Sequence, residues 1–202
     1  MQPTVTTILS RIYGHGRGWV FTPKSFIDLA DPRTVGVHLG RLVSRGTIVR
    51  LARGLYVYPE VHKQLGVLMP SMEEIARAIA GKSRIRLLPS GAYAANRLGL
   101  SEQVPARVVF LTDGESKRVV LGKSTLELKK TSPRLMSLAE KESGLIIQAL
   151  RYLGREHIDS QVVRRLKRSL PPKATRELMR NLALAPAWLR PVLIEIAGED
   201  SA

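Results

Sequence analysis

Apolar residues recur at Val5, Ile8, Leu9 and Ile12, a helical spacing that predicts a first amphipathic helix broken by Gly14-His15-Gly16-Arg17-Gly18. Trp19-Val20-Phe21 is short, apolar and β-prone. Thr22 followed by Pro23 supplies an N-cap with proline at the first helical position, and Phe26, Ile27 and Leu29 give the expected helix an apolar side as far as Ala30. Asp31-Pro32 repeats the start signal and leaves room only for a tight turn between two helices. From Pro32 to about Arg45, Val35, Leu39, Leu42 and Val43 make a stripe to bury, and Arg33, Thr34, His38, Arg41 and Arg45 fall mostly off it. Gly46 stops this helix. The runs Thr47 to Leu51 and Leu55 to Tyr58 then alternate around Ala52-Arg53-Gly54 as a hairpin would. Residues 20–58 thus follow the order of a winged helix-turn-helix.

Beyond Tyr58, two prolines, Pro59 and Pro70, enclose a stretch of weak periodicity that reads as a linker. Ser71-Met72-Glu73-Glu74 is a capping box that opens a helix through about Ala80. Ile85 to Leu88 predicts a strand, and Ser90 caps a short helix of small residues, Gly91 to Leu98, closed by Gly99. Val104 to Leu111, Arg118 to Leu121 and Ser124 to Lys130 predict a β-meander with turns at Asp113-Gly114 and Gly122-Lys123. The last third is helical: Leu145 to Leu153, Asp159 to Leu170, Pro172 to about Leu184, and a final helix around Trp188 to Ala197. The expectation is an α+β chain in three parts. A winged helix-turn-helix occupies 1–58, a linker 59–70, and a mixed C-terminal domain 71–202, built of a small antiparallel β-meander and a helical bundle.

Charge changes this picture more than composition does. The 202 residues are 44% hydrophobic, ordinary for a globular chain, but the formal net charge is +15 and the sequence pI about 10.8. Such a balance favours a polyanionic partner, with nucleic acid first among them. A membrane surface is the rival, but no stretch approaches roughly 18 uninterrupted apolar residues, and the first residues lack a signal-peptide layout, so a cytoplasmic protein is expected. The absence of cysteine excludes disulfides, thiolate zinc sites and a cysteine nucleophile. Residues 1–58 carry eight basic groups against Asp28 and Asp31, a net of +6; residues 155–180 carry eight against three, a net of +5. Two basic regions therefore bracket a mixed middle, the second being a solvated helix face or a further nucleic-acid contact.

In a winged helix-turn-helix the second helix enters the major groove. Arg33, Thr34 and His38 at its N-terminal end would face base edges, and Arg41 would straddle base and phosphate. Arg45, Arg50 and Arg53 would hold the backbone through the wing, supported by Lys24, with Arg17 touching a phosphate from the glycine-rich connector. Arg164, Arg165, Lys167 and Arg168 form the secondary basic patch. That glycine run is not a phosphate cradle, which needs a preceding strand and a following helix rather than the reverse. His15, His38, His62 and His157 show no metal-like pair spacing, and no cofactor or metal is expected. The enzymatic alternative is a restriction-type nuclease, with Asp113 and Glu127 holding Mg²⁺ and Lys129 polarising the attacking water. Asp113 also stands in an Asp-Gly turn, where aspartate is common for conformational reasons, and Glu127 and Lys129 alternate with inward Leu126 and Leu128. Aromatic residues are too few for a single-strand stacking platform, so duplex DNA ranks above RNA.

Several segments together resemble a known family. They are Gly16-Arg17-Gly18-Trp19-Val20-Phe21-Thr22-Pro23, the wing from Arg50 to Tyr56, Pro89-Ser90-Gly91-Ala92-Tyr93-Ala94-Ala95-Asn96 running on to Leu100, the stretch from Val104 to Gly114, and Ala185-Pro186-Ala187-Trp188-Leu189-Arg190-Pro191. These resemble the AbiEi-type antitoxins of bacterial type IV toxin–antitoxin systems, especially a short subfamily. The resemblance implies an N-terminal winged helix-turn-helix that binds an inverted repeat in its own promoter and represses it. It also implies a C-terminal domain that counters a nucleotidyltransferase toxin without a stable toxin complex. The resemblance assigns no residue to that antitoxin activity. The oligomeric state stays open, and a monomer that binds cooperatively is one arrangement consistent with the sequence.

Overall fold

A computed structural model describes residues 3–81 and 84–198 and shows a mixed α+β protein of two compact units. The first comprises residues 1–84 with 119–121, the second 85–118 with 122–202.

In the first unit, α1 (Pro3–His15) turns Ile8 and Ile12 inward, one helical turn apart. They meet Phe21 on β1 (Val20–Phe21), Phe26, and the stripe Val35, Leu39 and Leu42 of α2 (Pro32–Ser44). The aromatic rings interlock, with Phe21 stacked on Trp19 at 4.6 Å and set edge-on to Phe26 at 5.5 Å. Strands β2 (Val49–Ala52) and β3 (Leu55–Val57) form the expected hairpin, and β1 pairs with the far side of β3, giving the order β1-β3-β2. A register shift between Arg50 and Ala52 and a φ of +72° at Gly54 turn the tip, a conformation glycine adopts without strain.

Two expectations for this unit are corrected. The helix foreseen from Pro23 to Ala30 is a single 3-10 turn, Pro23–Phe26. Arg11 holds this turn and the segment after it, its Nη1 donating to the Ser25 carbonyl at 2.8 Å and its two terminal nitrogens gripping Asp28 at 2.7 and 2.6 Å. Full burial of Phe26 contributes roughly 2 to 3 kcal/mol, more than a turn of helix gains from propensity, so packing decides this shape. The supposed linker is also structured: β4 (Glu60–His62) and β5 (Gly66–Leu68) pair as an antiparallel hairpin, with Val61 opposite Val67. Next, α3 (Met72–Ala80) opens on the foreseen Ser71 capping box, buries Ile75, Ala76 and Ile79, and packs against β1. It therefore belongs to the first unit, whose boundary falls near residue 84 rather than at 58.

The second unit is built on β6 (Leu87–Ser90), β7 (Arg107–Thr112), β9 (Ser124–Lys130) and the first two residues of β8 (Lys117–Leu121), the strand order being β6-β7-β9-β8. This corrects the antiparallel meander. β6 and β7 are antiparallel, but β7 and β9 run parallel, with Val108 beside Leu126 and Phe110 beside Leu128. Burial explains the exchange: Val108, Phe110, Leu126 and Leu128 are all nearly fully enclosed, whereas β8 alternates half-buried with exposed positions and takes the edge. Helices α4 (Gly91–Arg97) and α6 (Glu142–Leu153) pack together through Ala94, Ala95 and Ala149 and against β6. The turn that follows α5 (Pro133–Met136) comes so close to α6 that a Cβ on Gly144 would collide with the Leu138 carbonyl oxygen. Helices α7 (Ser160–Ser169), α8 (Pro172–Arg180) and α9 (Arg190–Ala197) complete the core with Val163, Leu166, Leu178, Leu193 and Ile196.

Candidate nucleic-acid interface

Asp31 sets the start of α2. Its Oδ1 accepts the amides of Arg33 and Thr34, both at 3.0 Å, and Pro32 takes the first helical position. Hydrogen bonding to Thr34, side chain first and then amide, holds the Asp31 carboxyl below its ordinary range. The buried stripe points Val35, Leu39 and Leu42 inward, so Arg33, Val37, Gly40, Arg41 and Ser44 are left exposed on the opposite side. Arg33 and Arg41 lie about 12 Å apart along the axis, at 1.5 Å per residue. Arg45 is the C-cap, Arg50 stands on β2 with its Nε 3.4 Å from the Ala52 carbonyl, and Arg53 occupies the hairpin turn.

The acidic groups of residues 1–58 are both engaged, Asp28 by Arg11 and Asp31 by the cap of α2. Among the described residues, Lys24, Arg33, Arg41, Arg45, Arg50 and Arg53 have no carboxylate partner, and all six are exposed. Arg17 differs. Its guanidinium lies 5.1 Å from the Tyr58 ring centre and donates to the Pro59 carbonyl at 2.9 Å, which makes it a tie within the unit. The glycine run beside it is likewise tied, Gly18 donating its amide to the Tyr58 carbonyl at 2.7 Å.

One of the expected base readers is corrected. His38 is 4% exposed, because it stands three residues after Val35 and four before Leu42 and so shares their buried side. Its Nδ1 has no partner among the described residues. Thr34 is half-buried and belongs to the cap. Sequence reasoning passed over Val37 and Gly40, which accompany Arg33 and Arg41 outward, with half-buried Gly36 beside them; the signal was present, since they fill the gaps between the buried positions. A Cβ added at Gly36 or Gly40 would meet nothing within 4 Å, so no packing among the described residues calls for two mid-helix glycines that each cost about 1 kcal/mol.

The nuclease constellation is not assembled. Glu127 pairs in register with Val109, whereas Asp113 lies four residues beyond it, an offset of about 13 Å along the strands. Carboxylates sharing one Mg²⁺ must both approach it to about 2.1 Å. Arg86 holds Asp113 through Nε at 2.8 Å and its amide at 2.9 Å, which lowers the Asp113 carboxyl. Glu127 meets Arg107 at 2.6 Å and Arg118 at 3.6 Å, and Lys129 is exposed beside Leu111. His15 stacks on Trp19 at 3.8 Å, and His62 Nδ1 accepts the Gln64 and Leu65 amides. Arg164, Arg165, Lys167 and Arg168 lie exposed on α7, whose buried residues are Val163 and Leu166. Among the described residues, no helix is long and apolar enough to cross a membrane.

The chain is thus a mixed α+β protein whose first unit carries exposed cations that lack a carboxylate partner among the described residues. It belongs to the family of unknown function DUF6088, whose model matches residues 7–178. No curated protein matches it.

Proposed function

We propose that the protein is a duplex-DNA-binding transcriptional repressor, its first unit acting as a winged helix-turn-helix with α2 as the reading helix and the β2–β3 hairpin as the wing. The observation that carries this reading is the set of exposed arginines on α2 and the hairpin that lack any carboxylate partner among the described residues. In this reading Arg33 and Arg41 reach base edges, and the exposed Val37 meets a thymine methyl group. Gly36 and Gly40 leave the helix surface flat enough for close approach. Arg45, Arg50, Arg53 and Lys24 bind phosphates and set the register. No cofactor takes part, and the protein works in the bacterial cytoplasm beside the chromosome.

The resemblance to AbiEi-type antitoxins extends the reading to repression of an operon that includes the protein's own gene, through an inverted repeat in its promoter. It further assigns a role in countering a nucleotidyltransferase toxin without a stable complex. The test is binding of the full chain to its own promoter fragment and to a scrambled duplex across a salt series. Tighter binding to the promoter is expected, with affinity falling steeply as salt rises; equal binding to both duplexes would overturn the repressor reading. A nucleotidyltransferase gene beside this one is expected for the antitoxin role.

A further inference from the structure

The second basic stretch borders an open hollow. Arg164, Arg165 and Arg168 of α7, with Leu100, Asp159 and Val162, line a cavity of about 660 Å³. Small-molecule sites span roughly 300 to 1,000 Å³, so this volume suits a discrete ligand.

Two of its cations are held in place. Arg164 donates from Nε to the Ser160 carbonyl at 3.1 Å and from Nη2 to Ser160 Oγ at 3.3 Å. Arg165 rests against the turn that ends α4: a Cβ on Gly99, where φ is +64°, would stand 2.8 Å from its Nη2. Glycine at 99 therefore gives the guanidinium its seat. Arg168 makes no hydrogen bond within the described residues. None of the three meets a carboxylate among them, and Asp159 already directs its Oδ1 to the Gln161 and Val162 amides at 2.9 Å each. Three like charges around one concavity repel each other unless an anion enters.

We propose that this cavity binds a small phosphorylated ligand of the nucleotide class, its phosphates on Arg164, Arg165 and Arg168 and its planar ring against Leu100 and Val162. Guanidinium forks match phosphate oxygens in pairs, and their faces stack on planar rings. The apolar wall gives the ring a place that a bare phosphate would leave empty.

The test is calorimetric titration of the full chain, free of DNA, with inorganic pyrophosphate and with ADP. Both bind the wild type, ADP more tightly. The double variant Arg164→Gln/Arg168→Gln, altered only at exposed positions of α7, unfolds at the wild-type temperature yet loses at least tenfold in affinity for both probes. Gly99→Ala, which removes no charge, weakens both severalfold by displacing Arg165. Arg33→Ala leaves both titrations unchanged, which separates this site from the proposed DNA face. Absence of binding by either probe, or equal affinities in wild type and double variant, overturns the proposal. So does an ADP affinity no better than that of pyrophosphate. A double variant that loses DNA affinity while its pyrophosphate titration stays intact would assign the arginines to a duplex contact instead.

Discussion

In the sheet of the second unit, Arg86 closes on Asp113 at 2.8 Å, and Glu127 sits between Arg107 and Arg118 at 2.6 and 3.6 Å. In the first unit, Arg33, Arg41, Arg45, Arg50 and Arg53 meet no carboxylate among the described residues, although Asp28 and Asp31 lie nearby in sequence. The same residue type is used in two ways. A guanidinium on a carboxylate is balanced within the chain, and at an exposed pair the balance contributes only about 0 to 1 kcal/mol. A guanidinium without one adds to self-repulsion and to the outward field. A net charge of +15 does not distinguish the two; the placement of the carboxylates does.

The sharpest way to break this contrast is to remove the unpaired cations. Arg33→Ala and Arg41→Ala are each expected to weaken promoter binding by about 1 to 3 kcal/mol, roughly five- to 150-fold, in fluorescence anisotropy. Arg53→Ala should weaken all duplexes alike and lower the salt slope by about one. Thermal unfolding of these variants should stay near wild type, because the side chains are exposed. Next in size is Gly40→Ala. Helix propensity raises stability by about 0.5 to 1 kcal/mol in denaturant unfolding, while the added methyl on the reading face lowers promoter affinity; a stabilised protein with unchanged affinity would remove that face from the contact. In the paired region, Arg107→Gln should cost less than about 1 kcal/mol of stability and leave DNA affinity unaltered, and a loss of affinity there would erase the distinction.

The smallest effect is on acid stability. Hydrogen bonding to Arg11 lowers the Asp28 carboxyl and hydrogen bonding to Arg86 lowers that of Asp113, each from an ordinary value of 3.8. A carboxyl depressed on folding contributes stability above the unfolded value and loses it as pH falls through the folded one. Wild type should therefore lose stability as the medium is acidified from about pH 5 downward, and Asp28→Asn or Asp113→Asn should show a shallower loss in pH-dependent unfolding.

Much of the first unit was legible because its signals are repeated. The stripe of Val35, Leu39 and Leu42, the Asp31-Pro32 start and the Arg53-Gly54 turn each combine periodicity with a residue suited to one backbone state. His38 was misread because a polar residue was assumed to face outward, although its spacing puts it on the buried side. The hairpin around Val61 and Val67 was invisible for a different reason: its strands are three residues long and largely exposed, so no alternation of burial marks them. In the second unit, short turns suggested a meander, yet the buried pairs of β7 and β9 drew those strands together and left β8 outside.

By itself, then, the sequence determined the helix starts at Asp31, Ser71 and Asp159, the inward faces of the main helices, and the excess of positive charge. Each depends on bonds or spacings within about one turn of chain, where few conformations compete. The tertiary structure alone decided that Asp28 answers Arg11, that Asp113 and Glu127 stand apart on their own arginines, that Leu100 lines the hollow beside α7, and that Gly99 lies against Arg165. These associations join residues far apart in sequence, and which of them form depends on how the whole set of apolar faces is buried at once.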